Sequence, residues 1–165
     1  MKVLIIGDNP KVLTGVANYS RPLADTLSDH AEVIYLFNCT RTDAYDFGAT
    51  RITERKFGTS YKCFELVNGK AGYRNYGALH VDHDNWFDKQ FTDFLDASVP
   101  DIVHIHEIFG FSSNIIKLCA ERGIKVFATV HEYWWLCPHR VMVDYNRRVC
   151  DGPKDITKCA HCVSN

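Results

Sequence analysis

Short apolar runs alternate with helix-spaced stripes along this chain. Val3 to Gly7 (VLIIG) is a continuous apolar run of the kind buried on both faces of a sheet, and the loop Asp8 to Thr14 follows it. Gly15 then opens the segment TGVANYSRPLADTLSDH. Thr14 is placed as its N-cap, and Tyr19, Leu23 and Leu27 as an i, i+4, i+8 stripe. Pro22 interrupts the pattern, so either the helix kinks there or residues 15–19 form a separate first turn. Glu32 to Phe37 (EVIYLF) reads as the next strand and completes a βαβ unit.

Residues 38–80 are less regular. Tyr61 to Val67 (YKCFELV) reads as a strand and Asn68-Gly69 as a tight turn, with the remainder assigned to excursions over the sheet edge. Asp84 is placed as the cap of a helix on which Phe87, Phe91, Phe94 and Leu95 share a face. After Pro100, Asp101 to His106 is a β-branched run with His104 and His106 on one face. Ser112 or Ser113 caps the helix bearing Ile115, Ile116, Cys119 and Ala120, and Gly123 stands at its C′ position. Lys125 to Val130 is a further strand, with His131 at its carboxyl end.

Two βαβ units predict an α/β fold: a Rossmann-like three-layer domain with a mainly parallel sheet. Ligands of such sheets bind outside the carboxyl ends of the strands, which is where His106 and His131 fall. His104 is assigned to packing.

Composition narrows the partners. The chain has 165 residues, 24% of them charged, and a formal net charge of -1, so no general basic field attracts nucleic acid or an anionic membrane. No apolar run reaches transmembrane length, and the opening MKVLIIGDN is too short for a signal peptide. The seven cysteines are odd in number, and Cys39, Cys63 and Cys119 are scattered. That usage argues for a reduced, cytoplasmic protein, with no redox cofactor, rather than a secreted disulfide framework.

The other four cysteines, Cys137, Cys150, Cys159 and Cys162, gather near the end with spacing C-x12-C-x8-C-x2-C. A C-x2-C pair supplies one side of a tetrahedral thiolate site, and two more distant thiolates complete it. Gly152-Pro153 provides turn chemistry for a small knuckle. The reading is an irregular Cys-rich tail, residues 137–165, stapled by one structural Zn2+, with His139 and His161 as substitute ligands. An iron–sulfur cluster, or four reduced thiols in a loop, stays open beside it. Tyr133-Trp134-Trp135 offers either an aromatic surface for stacking or a hydrophobic wall between tail and sheet.

KVLIIG with TGVANYSRPLADTL, then PDIVHIH, then ATVHEYWWLCP, in this order, resemble the N-terminal half of a family-4 glycosyltransferase of the GT-B fold. The resemblance covers most of the chain and is weakest over residues 40–80. Two departures stand out: Thr14-Gly15 replaces the family's frequent pair of adjacent glycines, and Glu132 replaces its aspartate. The resemblance implies that residues 1–136 form the acceptor-side domain of a retaining enzyme. Such an enzyme moves a sugar from a nucleotide-diphosphate sugar to a hydroxyl of a carbohydrate or glycolipid acceptor. It also implies that His131 is catalytic, and that Thr14, Gly15, Val16, His106 and Glu132 bind substrate. The family's donor-binding domain carries two glutamates separated by seven residues. No pair here has that spacing and the chain ends at Asn165, so the expectation is half an enzyme, inactive alone. The expected location is cytoplasmic or peripheral at the inner membrane surface. From a different class comes a second reading: a non-catalytic α/β ligand- or partner-binding module with a structural zinc site.

Overall fold

The elements run in the order β1 (Lys2–Gly7), α1 (Gly15–Ser28), β2 (Glu32–Asn38), β3 (Thr50–Arg55), β4 (Lys62–Asn68), α2 (Asn85–Ser98), β5 (Ile102–Ile105), α3 (Ile115–Ala120), β6 (Lys125–Ala128) and α4 (Ile156–Ser164). They are seen in a computed structural model that describes residues 1–38, 50–68, 85–108, 110–133, 135–137, 140–153 and 155–164. Cys39, Gly69 of the expected turn, Asp84, Trp134 and His139 lie outside the described residues. The chain divides into two compact units, Met1–Thr129 and Val130–Asn165.

In the first unit the six strands form one sheet in the order β3-β4-β2-β1-β5-β6. All neighbours are parallel except β3, which pairs antiparallel with β4. The fold is therefore α/β with a mostly parallel, Rossmann-like sheet. Chain direction reverses across β1: the path runs from β1 out to β2, and later from β5 out to β6 on the other side. Right-handed crossovers then put α1 on one face and α2 and α3 on the opposite one, and α2 and α3 touch each other.

Period-two alternation divides the core accordingly. Val3, Ile5, Val33, Tyr35 and Phe37 pack with Ala24 of α1. Their neighbours Leu4, Ile6, Ile34 and Leu36 are equally buried, because a parallel sheet is covered on both faces. Phe87, Phe91 and Leu95 of α2 and Ile115 and Cys119 of α3 are all fully buried or nearly so.

Four expectations need correction. First, of the two alternatives at Pro22 the separate first turn is the one overturned: α1 is a single helix through Pro22, although Pro22 offers no N–H to the Asn18 carbonyl. Second, its buried face is Val16, Ala17, Ser20 and Ala24, whereas Tyr19 is 53% exposed. Small residues face the sheet because the approach is close. Gly7 leaves no room for a Cβ, since the Tyr35 hydroxyl and Ser20 occupy that space. Third, residues assigned to excursions include β3, a true edge strand. It brings Arg55 onto the buried Glu65 carboxylate, whose burial demands a charge partner. Fourth, α3 is capped at Asn114 without a side-chain bond; Ser112 Oγ accepts from Asn114 N–H just before it. Its end is as expected: Gly123 has φ 68°, its N–H donates to Ala120 O, and Ile124 N–H donates to Cys119 O. That pair of bonds is a Schellman closure.

Burial also sets an alkaline limit. The Cys119 thiol is pushed up to about 11 by burial, against a smaller opposing pull from Arg122. Burial likewise raises Cys63, Tyr35 and Tyr61. Each is an acid whose folded value exceeds its unfolded one, so its contribution is complete below the unfolded value and is lost as pH climbs through the folded value. Stability should therefore hold to about pH 8.5 and fall steadily toward pH 11, with Cys119 alone accounting for on the order of 2–3 kcal/mol. Urea denaturation at stepped pH measures this. A midpoint unchanged to pH 10.5 would contradict it.

Candidate functional site

The connections leaving the parallel strands β1 and β5 run to opposite sides of the sheet, which marks their carboxyl ends as the place where an open parallel sheet usually forms its ligand crevice. Its walls are the loop from Gly7 to Gly15 and the segment from His106 onward.

The first wall is held by hydroxyls. Thr14 Oγ1 donates to Asp8 Oδ2 at 2.6 Å and accepts from Ala17 N–H at 3.0 Å, so Thr14 is the N-cap of α1. Beneath the loop, Tyr35 Oη lies 2.6 Å from Ser20 Oγ and 3.0 Å from Asp8 O, and Ser20 Oγ lies 2.8 Å from Val16 O. Two hydroxyl hydrogens thus serve three contacts, which ties the loop, the helix and β2 together. Burial raises the Tyr35 hydroxyl well above the ordinary tyrosine range, so it stays a neutral donor.

Gly15 stands exposed at the start of α1. Its φ is not positive, and a Cβ there would meet nothing within 4 Å. Neither backbone conformation nor packing therefore requires glycine at this position. The first intrahelical bond closes from Asn18 N–H to Thr14 O, so the amides of Gly15 and Val16 precede the helical ladder. Those amides and the helix dipole favour an anion. The Val16 side chain is buried, so Val16 contributes through its backbone.

On the second wall, His106 is 1% exposed and its ring lies 5.6 Å from that of Tyr19 and 4.1 Å from that of His104. His104 Nε2 is 2.9 Å from Thr129 Oγ1. Period two puts both histidines on the α1 side of the sheet, and Tyr19 lies against His106. The exposed Tyr19, not His106, is the aromatic surface of this wall. Gly110 (φ 77°) is there of necessity, since a Cβ would overlap the Asn38 amide at the end of β2. Glu107, also buried, accepts from Ile108 N–H at 2.9 Å. Thr14, Gly15, Val16 and His106 are thus gathered at one crevice. Asp8, Ser20, Tyr35 and Glu107 were missed as its supports; the acidic Asp8 directly after an apolar run was the readable signal.

His131 and Glu132 belong to the second unit. Both are half-buried, and Glu132 Oε2 lies 3.4 Å from Arg140 Nη1. Tyr133 N–H donates to Arg140 O, and Arg140 itself has φ 66°. Tyr133 is exposed and Trp135 half-buried.

The tail is not irregular throughout: α4 covers its last turns, and Val143 and Val149 form an antiparallel bridge. The loop between them is closed by Asp144 Oδ1, which accepts from Asn146 N–H and Arg148 N–H at 2.9 Å each. Cys137, Cys150, Cys159 and Cys162 are half-buried, are in no disulfide, and all line one small cavity of about 40 Å³. Among the described residues, no three His, Cys, Asp or Glu side chains are drawn together closely enough to hold a metal ion. His161, the substitute ligand, is exposed with its ring 4.9 Å edge-on from Tyr145.

No protein-family model matches the chain, and no curated protein matches it. No helix among the described residues is long and apolar enough to cross a membrane.

Proposed function

We propose that the chain is the acceptor-side domain of a retaining glycosyltransferase, which moves a sugar from a nucleotide-diphosphate sugar to an acceptor hydroxyl. The observation that carries the reading is Gly15: an exposed glycine at a helix start, over the strand-reversal crevice, required by neither φ nor packing. Open space at that point lets a diphosphate reach the Gly15 and Val16 amides. Charge builds on the diphosphate oxygens as the sugar–phosphate bond breaks, and fixed N–H donors there stabilise the transition state without reorganising.

Thr14 holds the helix start in place, and Asp8 orients Thr14. Tyr19 offers the face of an aromatic ring at the crevice wall for apolar contact with a sugar, and His106 backs it. His131 is assigned to the transferring sugar, where an imidazole can bond a hydroxyl. Glu132 is assigned to the acceptor, its carboxylate oriented by Arg140. The donor is held mainly by a second domain.

Amide chemical-shift mapping with UDP and GDP tests the anion position. Gly15, Val16 and Tyr19 should show the largest changes, and mass-spectrometric assays with a panel of nucleotide sugars should show no transfer by this chain alone. Perturbation confined to other regions removes the site. Robust turnover by this chain alone removes the half-enzyme reading.

A further inference from the structure

We propose that the second unit, Val130–Asn165, is a structural zinc module in which Cys137, Cys150, Cys159 and Cys162 close around one Zn2+. The four residues come from three separate pieces of backbone. Cys137 ends a tight turn, its N–H donating to Tyr133 O at 2.7 Å, and Arg140 N–H donates back to Cys137 O at 2.8 Å. Cys150 follows the Val143–Val149 bridge and is anchored by its N–H to Met142 O at 2.8 Å. Cys159 and Cys162 sit three apart on α4, hence on one face. All three pieces bring their cysteines to the wall of the same cavity.

A second observation is independent of the thiols. Among the described residues of this unit, none with a hydrophobic side chain is fully buried; Gly152 alone is. On α4 the two cysteines are the described side chains that are not exposed, while Ile156 is 86% and, before the helix, Val149 is 89% exposed. A unit of this size whose described residues include no buried apolar side chain calls for a staple. Backbone strain points the same way: Arg140, Met142 and Arg147 all have positive φ, at 66°, 53° and 62°. Such conformations persist where something else fixes the backbone. Where no preformed site exists in the unfolded chain, thiolate–zinc binding energy becomes folding energy.

The thiols line the cavity without yet converging on a point, so zinc acts by drawing them inward. Each thiol that binds gives its proton to solvent, and four thiolates around Zn2+ leave a net double negative charge. Lys158 stands on the cavity wall with its ammonium on Asp151 Oδ1 at 2.9 Å. Four sulfur ligands leave no open position, which makes the role structural rather than catalytic.

Elemental analysis of the full chain, purified without chelator or metal-affinity resin, should give about one zinc per chain, and X-ray absorption should show four sulfurs at about 2.3 Å. Cys150→Ser and Cys159→Ser should each lose the metal, whereas His161→Ala should keep it. Chelation should speed protease cleavage after residue 130 by at least about tenfold while the circular dichroism of the α/β unit persists. Metal-free protein with disulfides or reduced thiols, the visible absorption of an iron–sulfur cluster, or zinc lost in His161→Ala would each overturn the tetrathiolate site. The absorption spectrum of the unsubstituted chain decides the matter even if the serine variants fail to fold.

Discussion

Truncating Phe91 to alanine should cost the α/β unit about 3–5 kcal/mol. Phe91 is fully buried on α2, and its ring stacks on Phe87 at 5.5 Å and 18°. Phe87 in turn meets Phe111 edge-on at 5.7 Å. The substitution removes apolar contact, leaves a cavity and breaks an aromatic chain worth about 0.5–1.5 kcal/mol beyond its area. Against a total stability of about 5–15 kcal/mol this is a large fraction, and the melting midpoint should fall by roughly 10–20 °C. Phe94 provides the contrast: it is half-buried and meets Phe64 edge-on at 5.0 Å, so Phe94→Ala should cost clearly less. Denaturation curves of both variants test the ordering. Equal losses, or a Phe91 loss below about 1 kcal/mol, would mean that α2 does not pack as described.

Gly15→Ala should move stability and ligand affinity in opposite directions. A methyl at that position meets nothing and the backbone needs no glycine, so the variant should be more stable by about 0.4–1 kcal/mol through a less flexible unfolded chain. The same methyl stands where a diphosphate would approach the helix amides, so UDP or GDP affinity should fall at least about tenfold, or about 1.4 kcal/mol. Calorimetric titration beside thermal denaturation reads both. Unchanged affinity would place the anion elsewhere. A destabilised variant would show that glycine serves the backbone after all.

The strands buried on both faces were legible because their apolar runs are continuous: Val3 to Gly7 and Glu32 to Phe37 needed no tertiary information. β3 was not, because TRITER is polar and forms only where β4 offers it an edge and Glu65 a charge to satisfy. The face of α1 was misread for a related reason. Large apolar residues dominate a periodicity count, yet Ala17, Ser20 and Ala24 are what a close helix–sheet contact selects. At the crevice, Gly15 and Thr14 could be picked out as a helix start, and His106 as a strand end. The hydroxyl chain of Tyr35, Ser20 and Asp8 could not, since it joins three elements whose proximity is a property of the fold. In the tail, the four cysteines that spacing groups line one cavity, but α4 was hidden because the cysteine spacing masks its helical period.

The position of β1 has a consequence for how the chain is made. β1 precedes both of its partners in the chain and lies in the interior of the sheet, paired with β2 from Lys2↔Glu32 and with β5 from Val3↔Ile102. One side of β1 can be closed early, but its other partner is translated much later. At usual rates of synthesis the wait is roughly 5–20 s. Throughout that interval Val3–Ile6 presents unpaired amides and carbonyls along one edge, open to any extended segment nearby. Emergence of β5 is the event that covers this edge, and slow codons upstream of Ile102 would lengthen the exposure of β1.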